Sequence, residues 1–167
     1  ISAASLGLGE AIAVELAQEG ANLAICARRP GPLEEARAKM AALGVDVMAI
    51  TADMTKTEDI ESFVAKTMEH FGRIAVLINN AGDAAFGHSI ETPDEGWSEI
   101  FDINLWSVIR MCRLVVPIMR ELGGGIILNN ASTSGHTPLP GSIDYSAAKA
   151  AVINMTKTMA MELAPDN

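Results

Sequence analysis

The sequence has few basic residues. Its 167 residues include 12 lysines and arginines against 21 aspartates and glutamates, for a formal net charge of −9. This balance argues against nucleic acid as a general partner, because binding a phosphate backbone requires a positive surface; a local basic pocket for a single phosphate is still compatible with it. Charged residues interrupt every apolar run of membrane-spanning length, and no basic leader precedes an apolar core. We therefore expect a protein of the cytoplasm with no membrane partner.

Cysteine and histidine are also scarce. Cys26 and Cys112 each lie in an apolar stretch and form no CxxC motif, which predicts buried thiols in a reducing compartment rather than a disulfide or a metal site. His70, His88 and His136 are scattered without metal-ligand spacing, and we expect them on the surface or in loops. The sequence thus predicts no metal centre.

Short apolar runs alternate along the chain with longer amphipathic segments. This alternation is typical of parallel strands buried on both faces and joined by crossover helices. The length fits one domain over residues 1–167. We predict an α/β fold, a Rossmann-like doubly wound parallel sheet with helices on both faces. The predicted strands are 21–27, 45–53, 74–82 and 125–135, and the predicted helices are 32–44, 56–72, 93–124 with a bend at Pro117, and 144–165.

We expect this fold to be incomplete at both ends. A helix starting near Gly9 should follow a first, central strand, which only Ile1 and Ser2 remain to represent. After the last helix, further strands and a substrate-covering lid would be expected beyond Asn167. A missing central strand would leave backbone groups unpaired in the core unless another segment fills that place.

Glycines stand at the start of the first predicted helix. Gly7 and Gly9 lie in ISAASLGLGEAIA, where a glycine turn would present backbone amides and the positive end of a helix dipole to a pyrophosphate. Glycine suits this role because a Cβ would block close approach of the backbone. Alone the pattern is weak, since an ordinary helix preceded by flexible glycines has the same sequence.

Two arginines follow the strand that ends at Ala27. In dinucleotide-binding folds the end of this strand meets the adenosine ribose, and an acid there favours a free 2′-hydroxyl. Arg28 and Arg29 instead suit a 2′-phosphate, through forked, charge-assisted hydrogen bonds. The other interpretation is a solvated basic turn before a helix.

The segment YSAAK carries a candidate acid–base group. Tyr145 and Lys149 share a helix face, because positions i and i+4 are neighbours. A lysine ammonium near a phenol favours the phenolate, which makes the phenol a usable general acid and base near neutral pH. Ser132 lies in the loop after an earlier strand, where α/β sheets place their chemistry, and its hydroxyl could hold a substrate oxygen.

These segments together resemble the classical short-chain dehydrogenases/reductases over essentially the whole chain. Residues 2–9, SAASLGLG, resemble that family's T-G-x-x-x-G-x-G turn, and residues 79–82, NNAG, match its cofactor-side loop. Asp53 in ADMT matches the acid near the adenine ring, and Asn104 in DINLW matches the active-site asparagine. The family's catalytic serine, tyrosine and lysine are matched, at the family's spacing, by Ser132, Tyr145 and Lys149.

The resemblance implies hydride transfer between a nicotinamide and a carbonyl or secondary alcohol carbon. Tyr145 would donate the proton in reduction, Ser132 would polarise the carbonyl oxygen, and Lys149 would favour the phenolate and hold the nicotinamide ribose. Asn104 would support a water-linked proton relay behind Lys149. The implied cofactor-binding residues are Ser2, Ser5, Leu6, Gly7, Leu8, Gly9, Arg28, Arg29, Asp53, Met54, Asn80, Ala81, Gly82, Tyr145 and Lys149.

Three departures from the family pattern matter. Ala3 stands where the family has its first glycine, and if that position needs a positive φ the methyl costs about 1 kcal/mol or more. Leu6 stands where many NADP-preferring members have a basic residue, so Arg28 would hold the 2′-phosphate alone or with Arg29. Ala27 stands where NAD-using members usually have an acid. The residues therefore favour NADP over NAD.

The long predicted helix is apolar nearly all round, which is typical of a helix buried on two sides. In the resembled family this helix and the one after Tyr145 pack against a second subunit, so we expect a homodimer or homotetramer through helices 97–122 and 145–164. The leading hypothesis is an NADP-dependent oxidoreductase acting on a ketone or secondary alcohol. The chain is nearest in look to the 3-oxoacyl-carrier-protein reductases, and the sequence does not choose between these and the related hydroxysteroid and sugar-alcohol enzymes. The alternative is a catalytically inactive nucleotide-binding or structural remnant of such a reductase.

Overall fold

The computed structural model of the chain describes residues 1–166, in which short parallel strands alternate with helices. Strand β1 (Leu23–Ala27) pairs in parallel with β2 (Val47–Thr51), and β3 (Val76–Asn79) pairs in parallel with β4 (Ile126–Asn129). The segments predicted as strands all contain these elements, but each strand is shorter than its apolar run.

Residues 1–4 lie between the two strand pairs and join them. On one side the Ser2 amide donates to the Ile78 carbonyl at 3.1 Å, and on the other the Ala4 amide donates to the Cys26 carbonyl at 3.1 Å. The Cys26 amide in turn donates to the Ile1 carbonyl at 3.2 Å. Of the two alternatives stated for this place, the second therefore holds for these residues, because the few that are present pair on both sides.

Helices cover both faces of these strands, which confirms the doubly wound α/β prediction. The helices are α1 (Gly7–Gln18), α2 (Pro30–Ala41), α3 (Thr57–Phe71), α4 (Asp94–Phe101), α5 (Ser107–Glu121) and α6 (Ile143–Leu163). Side chains alternate along β1: Ile25 packs with helices α1 and α2, whereas Cys26 packs with α3 and α5 on the opposite face.

Helix α3 ends at Phe71 and is followed by Gly72, whose φ of 70° supplies the left-handed residue that commonly closes a helix; the predicted range 56–72 included both. Helix α2 starts at Pro30, two residues before the predicted start, because proline is pre-set for the first helical turn and lacks an amide that would need a partner.

The predicted 93–124 helix is not one regular α-helix. A π-helical turn, Asp102–Trp106, separates α4 from α5, whereas Pro117 lies inside α5, which continues to Glu121. The Asn104 amide donates to the Ile100 carbonyl at 2.9 Å, and the Ser107 hydroxyl donates to the Ile103 carbonyl at 2.6 Å. Side chains thus bond main-chain carbonyls in and just before this turn, and Asn104 lies at its centre.

Both cysteines are buried and free, as predicted. Burial raises the pKa of the Cys26 thiol and of the Cys112 thiol to about 11, so neither is a reactive thiolate at neutral pH. Within residues 1–166 no helix combines the length and apolarity needed to cross a membrane. The same residues contain no cluster of three or more side chains of the metal-binding types His, Cys, Asp and Glu.

Candidate active site

A cleft of about 960 Å³ lies at the carboxyl ends of the strands. Its walls come from the turn before α1, the segments after all four strands, and one face of α6. This end of the strands is where α/β sheets bind their ligands. Most of the predicted site residues meet there. Those lining the cleft are Ser5, Leu6, Leu8, Gly9, Arg28, Arg29, Met54, Asn80, Ala81, Gly82, Ser132, Tyr145 and Lys149.

Four predicted residues, Ser2, Gly7, Asp53 and Asn104, do not line the cleft. Ser2 is buried, and its Oγ accepts hydrogen bonds from the Asn80 and Ala81 amides, each at 2.9 Å. Asn80 Nδ2 returns hydrogen bonds to the carbonyls of Ser2 and Ala3, each at 3.2 Å. Ser2 therefore braces the turn against the loop after β3.

The turn before α1 shows why glycine is needed at two places. Gly7, the first residue of α1, has φ of 60°. A Cβ added at Gly9 would lie 2.3 Å from the Ala3 carbonyl oxygen, so no side chain fits there. Ala3 has φ of 52° and is the only non-glycine residue with positive φ within residues 1–166. The position of the family's first glycine thus does need a positive φ, and this chain fills it with a strained alanine.

Arg28 and Arg29 are exposed at the end of β1 and line the cleft. Neither guanidinium forms an ion pair with another of residues 1–166, so both are available to an anion. Asp53 is held by its own turn, since its Oδ1 accepts hydrogen bonds from the Thr55 amide at 3.0 Å and the Thr55 hydroxyl at 2.8 Å. Burial alone would raise the pKa of this carboxyl, but the Thr55 hydrogen bonds and the Arg28 and Lys56 charges lower the pKa overall.

Lys149 is nearly fully buried on α6, one turn after Tyr145. Its ammonium lies 5.6 Å from the centroid of the Tyr145 ring and donates to the Asn130 carbonyl at 3.0 Å. Burial lowers the pKa of this ammonium to about 8. A charged donor that is poorly hydrated and close to a phenol is suited to stabilising a phenolate.

Ser132 follows β4 and precedes a single 3₁₀ turn, Thr133–Gly135. Its Oγ accepts hydrogen bonds from the Ser134 amide at 3.2 Å and from the Ser134 hydroxyl at 2.9 Å. Because both acceptor positions of this oxygen are then used, the Ser132 proton is left to donate into the cleft. Ser134 is buried, and the sequence gives no signal of its contact with Ser132, since a serine two residues from another is common in loops.

Asn104 is fully buried behind Lys149. Its Nδ2 donates to the Asp83 carbonyl at 2.7 Å and to the Ile100 carbonyl at 2.9 Å, whereas its Oδ1 has no partner among residues 1–166. A Cβ built on Gly82 would lie 2.8 Å from this Oδ1 and 3.1 Å from Lys149 Nζ. The bare Gly82 thus leaves an unused acceptor and an ammonium close together, an arrangement that suits a bridging water.

His88 is not simply a loop residue. Its side chain is 26% exposed, and its Nδ1 lies 2.5 Å from Oδ2 of Asp144, which is fully buried beside Tyr145. The sequence offers a weak indication of Asp144, an acid in the first turn of the YSAAK helix, and none of its pairing with a residue 56 positions away. His70 and His136 are exposed, as predicted.

Comparison with known families agrees with this architecture. The family model described as short chain dehydrogenase matches residues 1–167. The chain is 36% identical over 169 residues to dehydrogenase/reductase SDR family member 4 of Caenorhabditis elegans and covers 65% of that protein. It is 38% identical over 168 residues to 11-beta-hydroxysteroid dehydrogenase A of Sesamum indicum and covers 48% of it.

Solved structures show the same fold. L-sorbose reductase from Gluconobacter frateurii, complexed with NADPH and L-sorbose, matches all of this chain with a TM-score of 0.96 and 34% identity, over 64% of its own length. An NAD+-bound xylitol dehydrogenase matches 99% of the chain with a TM-score of 0.94 and 31% identity, over 64% of its own length. The chain belongs to the short-chain dehydrogenase family, and it spans about half to two thirds of the length of these relatives.

Proposed function

We propose that this chain carries the cofactor-binding and catalytic residues of an NADP-dependent oxidoreductase, which transfers a hydride between nicotinamide and a carbonyl or secondary alcohol carbon. The observation that supports it most is the convergence of Ser132, Tyr145 and the buried Lys149 ammonium on one cleft. The bare Cα at Gly9 and the two free arginines are features that a dinucleotide would need in the same cleft.

In the reductive direction the residues act on the substrate oxygen. When bound in the cleft, NADPH supplies the hydride to the carbonyl carbon. Tyr145 gives its phenolic proton to the carbonyl oxygen as the C–H bond forms, and the Ser132 hydroxyl donates a hydrogen bond to the same oxygen. Lys149 stabilises the phenolate left behind, and Asn104 Oδ1 holds a water through which a proton returns. In the oxidative direction the same residues take part, and each transfer is reversed.

The cofactor preference rests on the end of β1. Arg28 and Arg29 offer forked donors for a 2′-phosphate, and Ala27 has no carboxylate to accept from a free 2′-hydroxyl. The neighbours named above carry either NADPH or NAD+, so the preference is drawn from this chain's own residues. The role of Asp53 and Met54 near the adenine ring remains part of the same proposal, with Met54 lining the cleft and Asp53 ordering the turn beneath it.

A second candidate is a nucleotide-binding or structural protein without turnover. The observation that favours it is the alanine at φ of 52° in the phosphate turn, where a methyl group strains the backbone.

Turnover separates the two candidates. A panel of ketones, keto sugars and steroid ketones, assayed by loss of NADPH absorbance, should contain a substrate, and Tyr145→Phe should lower kcat by about a thousandfold with NADPH affinity unchanged. Unchanged turnover in Tyr145→Phe would contradict this mechanism, and no turnover with any carbonyl would favour the second candidate.

We also propose a homodimer or homotetramer that uses helices 97–122 and 145–164. Trp106 is 46% exposed on the π-helical turn and Met161 is 81% exposed on α6, both on the predicted interface helices. Sedimentation at micromolar concentration should give a dimer or tetramer, and Trp106→Glu should dissociate it. A monomeric wild type would contradict the assembly.

Two buried free thiols are consistent with a reducing compartment, so we keep the cytoplasm as the proposed location.

A further inference from the structure

The loop after β3 is fastened to the start of α6 by three hydrogen bonds. The Ser142 hydroxyl donates to the Ala85 carbonyl at 3.0 Å, and the His88 amide donates to the Gly141 carbonyl at 3.1 Å. The third bond joins the His88 ring to the Asp144 carboxylate at 2.5 Å. We propose that His88 and Asp144 are positioning residues, whose hydrogen bond holds this loop against α6 and thereby fixes Tyr145 relative to Lys149 and Asn104.

The Asp144 carboxylate depends on His88. The carboxylate is fully buried, and its two oxygens have different partners: Oδ1 accepts from the Tyr145 amide at 2.8 Å, and Oδ2 meets His88 Nδ1. A carboxylate can only accept, so Nδ1 is the donor. Removal of the imidazole would leave one oxygen of a buried carboxylate unpaired, and the first turn of α6 would have to shift to bring that oxygen to water.

That first turn carries the acid–base residue. Tyr145 directly follows Asp144, and the hydrogen bond from its amide to Asp144 Oδ1 ties its backbone to the same carboxylate. A shift of this carboxylate therefore moves the base of the tyrosine side chain. A displacement of about 1 Å at a reacting group can lower the rate by about a hundredfold.

The other end of the loop reaches the remaining groups of the site. The Asp83 carbonyl accepts from Asn104 Nδ2 at 2.7 Å, and Gly82 lies against Asn104 Oδ1 and Lys149 Nζ. One short segment, residues 82–88, thus contacts the lysine and asparagine at its start and the helix turn of the tyrosine at its end. Gly87 and Gly141 allow this contact, because both have a positive φ, a backbone conformation that favours glycine.

Neither His88 nor Asp144 lines the cleft, so the pair acts through Tyr145 and not by touching the cofactor or substrate. The expected effect on kcat rests on the proposed function. The expected effect on the loop and the first turn of α6 rests on the contacts alone. The test variants are His88→Ala, which removes the donor, and His88→Asn, which keeps a donor near the carboxylate. His70→Ala is the matched control, because His70 also pairs with an aspartate, Asp46 at 2.7 Å, but on the exposed surface.

In the full protein, His88→Ala should lower kcat by about ten- to one-hundredfold, with the dissociation constant of NADPH within about twofold of wild type. The kcat of His88→Asn should be closer to wild type than that of His88→Ala, and the kcat of His70→Ala should equal wild type. Independently of turnover, hydrogen exchange of the amides in 141–149 should become faster in His88→Ala only. Wild-type kcat and wild-type exchange in His88→Ala would overturn this inference and leave the proposed function intact. If the wild type turns over no substrate, the proposed function fails, and hydrogen exchange alone tests the inference. Faster exchange of 141–149 in His88→Ala would then support the role of His88 in holding the loop against α6. Unchanged exchange would overturn it.

Discussion

The Lys149 ammonium lies 5.6 Å from the centroid of the Tyr145 ring while its hydrogen bond holds it to the Asn130 carbonyl. The ammonium is thus anchored to the segment that leads into Ser132 and lies close to the phenol that the proposed reaction uses. Burial lowers the pKa of Lys149 to about 8, so the site keeps its positive charge at neutral pH but loses it within the alkaline range.

This titration predicts the pH dependence of the reaction. The ammonium form is present below pH 8 and is lost as the pH rises through that value, so kcat/KM for carbonyl reduction should be level from pH 6 to about 7.5. Above pH 8 it should fall by about tenfold per pH unit, because a neutral amine no longer stabilises the phenolate. In Lys149→Arg the remaining activity should lack the break near pH 8, because arginine stays charged. A level wild-type profile up to pH 10 would contradict the role given to Lys149.

The hydrogen bond between the two serines predicts an effect of a residue beside the catalytic one. Ser134→Ala removes the hydroxyl that donates to Ser132 Oγ at 2.9 Å and frees the Ser132 hydroxyl to rotate away from the substrate oxygen. We expect kcat/KM to fall about three- to tenfold, the range of one neutral hydrogen bond. The measurement is steady-state kinetics with Ser62→Ala on α3, away from the cleft, as the control. Equal kinetics in both variants would show that Ser134 does not orient Ser132.

Because the backbone of Ala3 is strained, we expect the protein with glycine at position 3 to be more stable than the wild type. Relief of the positive φ stabilises the folded state by about 1–2 kcal/mol, and the extra freedom of glycine in the unfolded chain costs about 0.5–1 kcal/mol. Ala3→Gly should therefore stabilise the protein by up to about 1.5 kcal/mol. The neighbouring Ala4 is fully buried without a positive φ, and Ala4→Gly should destabilise. Denaturant unfolding of both variants measures the difference. A less stable Ala3→Gly would mean that the methyl group's packing outweighs the strain.

The order of strands and helices could be predicted because apolar periodicity reports local structure directly. The positive φ at residue 3 entered the prediction only as a condition, from the resemblance of residues 2–9 to a known glycine turn, and the structure meets that condition. The place of Ser132 could be predicted because parallel strands present their carboxyl ends at one edge of the sheet. The shared face of Tyr145 and Lys149 followed from their i,i+4 spacing, and the meeting of all three in one cleft was implied by the family resemblance.

Other features depend on information that no local pattern contains. The π-helical turn at Asp102–Trp106 lies within a stretch that the sequence predicts as one helix, and no local signal in that stretch marks it. The His88–Asp144 bond joins residues 56 positions apart, and the ring position depends on how the loop after β3 folds back. Ser2 was expected to contact the cofactor, but its hydroxyl is used by the Asn80 and Ala81 amides.

The most direct test of the account is a calorimetric titration of this chain with NADPH and with NADH, beside Arg28→Ala and the control Arg73→Ala. Arg73 is exposed just before β3, at the opposite end of the strands from the cleft. We expect NADPH to bind at least about tenfold more tightly than NADH, as a charge-assisted hydrogen bond to the 2′-phosphate would give. Arg28→Ala should remove most of that preference, and Arg73→Ala should keep it. Tighter binding of NADH would contradict the cofactor assignment, and binding of neither would contradict the proposal that this cleft holds a dinucleotide.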